Sequence, residues 1–133
     1  MITVVKEFTF DAAHWLPGYA GQCANLHGHT YKLQVGIKGE IDPNTGMVMD
    51  FSKLKGIVGY EIISQLDHVC LNDLKSTPGE LGINFPWEMP TAENMVDWIQ
   101  QRLENRWDGT REDATISFIR LYETPTSYAE WRA

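Results

Sequence analysis

Cysteine is nearly absent. The 133 residues include two, Cys23 and Cys70, and neither belongs to a CxxC pair, so a disulfide framework and an all-thiolate zinc site are both unexpected. Basic residues are scarce as well, with 11 Lys and Arg against 18 Asp and Glu and a net charge of −7. That balance argues against broad binding to nucleic acid or to an anionic membrane surface. No apolar run approaches the ~20 residues of a membrane helix, and Met1 to Phe10 lacks the basic start and long apolar stretch of a signal peptide. These absences point to a cytosolic protein with neither a membrane nor a nucleic acid as partner. Repeats, low-complexity tracts and linkers are also missing, so residues 1–133 are expected to fold as one domain. The material for a core is present: 43% of residues are apolar and 22% charged, an ordinary globular balance.

Apolar periodicity outlines the elements. Ile2, Val4, Phe8 and Phe10 recur at period two, interrupted by Lys6, which predicts a strand whose even positions face inward. Tyr31, Leu33, Val35 and Ile37 predict a second strand, and the turn formers Asp42 to Gly46 then predict a hairpin whose return strand is Met47 to Asp50. From Phe51 the spacing becomes helical, through Leu54, Val58, Ile62 and Leu66, with Asp50 or Ser52 as cap. Pro78, Gly79, Gly82, Pro86 and Pro90 mark residues 73–90 as a loop. Thr91 opens a second helix with Met95, Val96, Ile99 and Leu103 inward, ended by a turn at Asp108 and Gly109. Thr115 to Glu123 and Ser127 to Trp131 predict two closing strands. The order is two strands, two helices, two strands: an α+β fold.

The candidate chemistry sits at the ends of the first two strands. Alternation sends His27 and His29 to one side, with Gly28 opposite, while His14 shares the parity of Phe8 and Phe10. Two neighbouring strands then offer three imidazoles, which suits Zn²⁺ with a fourth position open. An isolated HxH is more often chance and a lone inward histidine more often a satisfied core residue; the third histidine at compatible parity raises the metal alternative to comparable weight. Cys23 lies four residues before His27. A nearby cation favours the thiolate, making Cys23 a candidate proton acceptor; a buried small hydrophobe and a fourth zinc ligand are the alternatives. Cys70, between Val69 and Leu71, reads as core filler. Asp67-His68 at a helix end is a common surface pairing that gains meaning only beside Cys23. Glu123, ordinarily a solvated carboxylate, has the acceptor geometry for the parallel N–H groups of an aminopyrimidinone.

Six segments in order resemble the family of 6-pyruvoyltetrahydropterin and 6-carboxytetrahydropterin synthases: Phe8 to His14, Cys23 to Tyr31, Thr45 to Phe51, Leu66 to His68 with Leu71-Asn72, Pro90 to Asn94, and Glu123 to Ser127. The resemblance implies a tunnelling fold (T-fold), a four-stranded antiparallel sheet backed by two antiparallel helices. It also implies sheets joined into a barrel in a homo-oligomer, a hexamer of two trimers, with active sites at subunit interfaces. By the same resemblance His14, His27 and His29 bind zinc and Cys23 is the catalytic thiol. Asp67 and His68 relay its protons, Glu123 anchors a pterin, and Thr91 and Glu93 stand near the ligand. The Cys-x-x-x-His-Gly-His spacing resembles the bacterial carboxy-forming branch. That branch converts 7,8-dihydroneopterin triphosphate and water to 6-carboxytetrahydropterin, acetaldehyde and triphosphate, toward queuosine and other deazapurines. Lys6, Lys32, Lys53, Lys55 and Arg120 are the cations available to a polyphosphate. A pyruvoyl-forming synthase, a dihydropterin side-chain aldolase, a zinc hydrolase and a zinc- and pterin-binding module without turnover are the alternatives.

Overall fold

The computed structural model describes residues 1–74, 88–107 and 113–133. Five strands form one sheet in the order β3-β1-β2-β4-β5, where β1 is Ile2–His14, β2 is His27–Gly39, β3 is Val69–Cys70, β4 is Thr115–Thr124 and β5 is Ser127–Arg132. The first two strands pair antiparallel without interruption from Ile2 opposite Gly39 to His14 opposite His27. Parity holds as predicted over most of the hairpin: Phe10, Ala12 and His14 are buried on β1, and Tyr31, Leu33 and Val35 on β2, while Asp11 and Thr30 between them are exposed; Ile2, expected inward, is exposed at the strand's start. β2 and β4 continue the antiparallel order with an irregularity at Gly36 and Ile37, and β5 folds back on β4.

Two helices cover the buried face. The first, α1, spans Phe51–Val58, passes through a π-helical turn at Gly59–Ile63 and closes with Ser64–Leu66. Asp50 is its cap, accepting a hydrogen bond from the Ser52 N–H at 2.7 Å. Leu54, Val58, Ile62 and Leu66 are fully buried, whereas Phe51, expected in the same stripe, is 51% exposed. The second, α2, spans Ala92–Arg106, with the Thr91 hydroxyl accepting from the Asn94 N–H. Met95, Ile99 and Leu103 complete the core against Ile119 and Leu121 of β4.

Two expectations need correction. Met47 to Asp50 forms no return strand. Asp42 closes its turn locally, its carboxylate accepting from Asn44 N–H and its carbonyl from Gly46 N–H. β2 already has β1 on one edge and β4 on the other, so no ladder remains for that segment, and Val48 and Met49 pack into the core instead. Conversely, Cys70 is not core filler at a helix end. It is half-buried in β3, a two-residue strand parallel to β1 in which Val69 pairs with Ala12 and Cys70 with Ala13. The turn at Asp108 and Gly109 and most of the 73–90 loop lie outside the described residues.

Candidate active site

The hairpin register brings the three histidines together. His14 and His27 face each other as a strand pair, and His29 is two positions along β2 opposite Ala12. Their rings stand 4.7, 4.8 and 5.1 Å apart by centroid, at steep mutual angles. One nitrogen from each lies within 4.8 Å of the others, and His14 Nε2 is 3.1 Å from His27 Nε2.

Backbone carbonyls aim these nitrogens. His14 Nδ1–H donates to Pro90 O at 2.9 Å, just before α2, and His27 Nδ1–H donates to Asn25 O at 2.7 Å. With Nδ1 protonated, each Nε2 presents its lone pair to the shared space. The Tyr31 hydroxyl lies 3.3 Å from the same His14 Nδ1. Burial pushes that hydroxyl's pKa up, so Tyr31 stays protonated.

Burial is also the main reason His14 and His29 have lowered pKa values; the Glu123 carboxylate opposes the shift in both. Its Oε1 lies 3.4 Å from His14 Nε2 and 3.7 Å from His29 Nε2. Neutral imidazoles are the form a metal requires. In metal-stripped protein the lowered values mean that the unfolded chain binds more protons than the folded one below the ordinary histidine value of 6.5. Stability therefore falls as pH drops from 6.5 and levels once the folded imidazoles also protonate. Melting temperature across roughly pH 8 to pH 5 reads this; an unchanged value through that window contradicts it.

The donor set fits zinc: three convergent nitrogens, two with their partner nitrogen tied to a carbonyl, and no sulfur in the cluster. Cys23 lies outside that cluster, half-buried in the short helical turn Gln22–Ala24 of the β1–β2 connection.

Asp67 and His68 form a separate group. Asp67 Oδ1 accepts from His68 Nδ1 at 2.8 Å and from the Asp11 N–H at 3.0 Å, while His68 N–H donates to Asp11 O at 2.6 Å. The Asp11 N–H is the chief reason the Asp67 carboxyl lies below its usual range. His68 takes a left-handed backbone, φ 60°, which is costly without glycine and is held here by that hydrogen bond to Asp11. Thr30 donates its hydroxyl to the Asp11 carboxylate. Asp11 and Thr30 point away from the core, so this group lies on the sheet face opposite the imidazole trio. It borders an open cleft of about 500 Å³ lined by Ala13, Gly28 and Val69 and also by His29, so one residue of the trio reaches this cleft as well. Within one chain, then, His14, His27, His29 and Glu123 come together, while Asp67 and His68 are gathered elsewhere.

Thr91 spends its hydroxyl on the α2 cap, and Glu93 is exposed beside a cleft between α2 and β5 with Tyr128 and Trp131. Of the candidate phosphate cations, Arg120 is engaged by Glu130, and Lys32 packs over the Tyr122 ring. Sequence reasoning missed the Pro90 and Asn25 carbonyls, which no residue type announces. It also missed Asp11, whose outward parity and side-chain type were visible.

The family model described as 6-pyruvoyl tetrahydropterin synthase matches residues 3–133. The Haemophilus influenzae protein named 6-carboxy-5,6,7,8-tetrahydropterin synthase is 40% identical over 148 residues, covering 99% of each chain. The Pyrococcus furiosus dihydroneopterin monophosphate aldolase is 33% identical over 120 residues, covering 90% of this chain and 88% of its own. The Caenorhabditis elegans 6-pyruvoyl tetrahydropterin synthase structure superposes with a TM-score of 0.80 at 26% identity, covering 99% of this chain and 95% of its own. The protein is thus a tetrahydropterin synthase-type enzyme with the α+β tunnelling fold. It belongs to the 6-pyruvoyl tetrahydropterin synthase family, and β3 is an addition to the four long strands expected from its sequence. No described helix is long and apolar enough to cross a membrane.

Proposed function

We propose that this chain is a cytosolic, zinc-dependent lyase. It converts 7,8-dihydroneopterin triphosphate and water to 6-carboxytetrahydropterin, acetaldehyde and triphosphate, on the route to queuosine and other deazapurines. The observation that carries this is the convergence of His14, His27 and His29 beside Glu123, in a chain whose relatives include proteins named for that product. His14, His27 and His29 would hold the zinc, which when bound would supply Lewis acidity toward the hydroxyls of the substrate side chain. Cys23 accepts a proton from a carbon of that side chain, and His68, oriented by Asp67, carries protons on the other side. Glu123 holds the pterin by accepting its parallel N–H groups. Thr91 and Glu93 act at the rim, Thr91 by fixing the helix start next to the Pro90 carbonyl.

The active unit is an oligomer, a hexamer of two trimers. Among the described residues, β3 covers only Ala12 and Ala13 on the outer edge of β1, and β5 has no partner beyond β4. Copies that join these edges close a barrel and remove the exposed ladders. Joining also offers a way for the Asp67–His68 pair of one copy to complete the zinc site of another, since within one chain that pair and the imidazole trio form separate groups.

Incubating metal-analysed protein with dihydroneopterin triphosphate and identifying each product by mass tests the reaction. Acetaldehyde with 6-carboxytetrahydropterin is expected. A pyruvoyl product without acetaldehyde would move the chain to the sibling branch. Side-chain cleavage of the aldolase type is the reading that the Pyrococcus furiosus relative favours. Binding without turnover would leave a zinc- and pterin-binding module.

A further inference from the structure

Asn72 ties two distant parts of the chain through its side-chain amide. Its Oδ1 accepts from the Trp15 N–H at 3.0 Å and its Nδ2 donates to the Trp15 carbonyl at 2.9 Å. One amide therefore satisfies both backbone groups of one residue, as a neighbouring strand would. Trp15 directly follows His14, where β1 has ended and β2 has not begun. The next residue, Leu16, donates its N–H to the Cys23 carbonyl at 2.8 Å. The clamp therefore fixes the strut to which the Cys23 turn is tied, and it does so from the 3-10 turn Leu71–Asp73 that follows β3 and the Asp67–His68 pair.

We infer that Asn72 is a positioning residue for Cys23, holding the Trp15–Leu16 backbone so that the turn carrying the thiol stays at a fixed place relative to the strand end that carries His14. This rests on the role proposed above for Cys23 as a proton acceptor. The residue type follows from the geometry: an amide carries a donor and an acceptor side by side, whereas aspartate would set a carboxylate oxygen against the Trp15 carbonyl, and alanine reaches neither group. A thiol that must meet one carbon of a bound substrate depends on such a strut, since misplacement by about 1 Å can cost about 100-fold in rate.

The test follows thiol chemistry and turnover separately, in the full-length metal-loaded protein. Cys23 and Cys70 are distinguished by peptide mass after timed alkylation with iodoacetamide. In Asn72→Ala, Cys23 alkylation is expected to rise by at least about threefold as the turn loosens, with Cys70 unchanged and zinc content retained. Turnover is expected to fall about tenfold in kcat with KM within about twofold, and Asn72→Asp, which keeps one of the two bonds, to fall between. Wild-type Cys23 reactivity in folded Asn72→Ala overturns the inference, as does an equal rise at both cysteines, which would mean general loosening. If Asn72→Ala does not fold, Asn72→Asp carries the same comparison. Absence of lyase turnover in the wild type would count against the proposed reaction but leave the alkylation result to decide the role of Asn72.

Discussion

His27→Ala is expected to lose the metal while keeping the fold. The imidazole is half-exposed at the start of β2, and among the described residues its anchor besides the trio is the carbonyl of Asn25 in the adjoining loop. Truncation there removes little packing, and substitutions at such positions usually change stability by no more than about 0.5 kcal/mol. Metal binding behaves differently. Loss of an outer hydrogen-bond partner of a ligand alone costs about 10–100-fold in affinity, so loss of a ligand costs more than about 100-fold. His14→Ala should lose the metal too, but at a cost in stability, because His14 is 1% exposed and joins β1 to the start of α2 through Pro90. Chelator competition on the purified variants measures the affinity. His68→Ala supplies the contrast, since it disrupts the second group of potential ligands, Asp11, Asp67 and His68, and should leave affinity unchanged. If His27→Ala binds zinc as the wild type does and His68→Ala does not, the metal belongs on the other face of the sheet.

That contrast depends on a feature only partly legible in the sequence. Period two in β1 and β2 is enough to set which way each side chain points, and the uninterrupted pairing of the hairpin then aligns His14 with His27. The helices were equally legible, because Asp50 and Thr91 cap them and the four-residue spacing of Leu54, Val58, Ile62 and Leu66 survives the π-helical turn. Parity within a strand says nothing about residues on a different element, however. Asp67 and His68 follow a helix, and only the pairing of Val69 and Cys70 with β1 fixes the face they occupy. Two residues are too few to show a period, so β3 left no signal. The Pro90 and Asn25 carbonyls are beyond sequence reasoning for another reason: every residue has a carbonyl, and which one meets an imidazole is decided by the fold.

Mixing two inactive variants is expected to restore activity. Cys23 lies in the connection between the two histidine-bearing strands, whereas Asp67 and His68 are held by Asp11 in a group separate from the imidazole trio. If a working site takes the thiol and zinc from one copy and the Asp67–His68 pair from another, Cys23→Ala and His68→Ala damage different halves. Each homo-oligomer then has every site broken, by about 100-fold or more if each group performs a proton transfer. In a hetero-oligomer assembled from equal amounts, a site is intact when its thiol comes from a His68→Ala copy and its imidazole from a Cys23→Ala copy, which random assembly supplies at about one site in four. Recovered turnover near a quarter of wild type after co-refolding, absent when the separately assembled variants are merely combined, would show that the two faces meet across a boundary between copies. No recovery in verified hetero-oligomers would require both groups to serve the same copy. The double variant Cys23→Ala with His68→Ala, mixed with wild-type chain, contributes no intact half, so activity should fall as the square of the wild-type fraction, to about a quarter at equal amounts, whereas a fall merely in proportion to its share would place both groups in one copy.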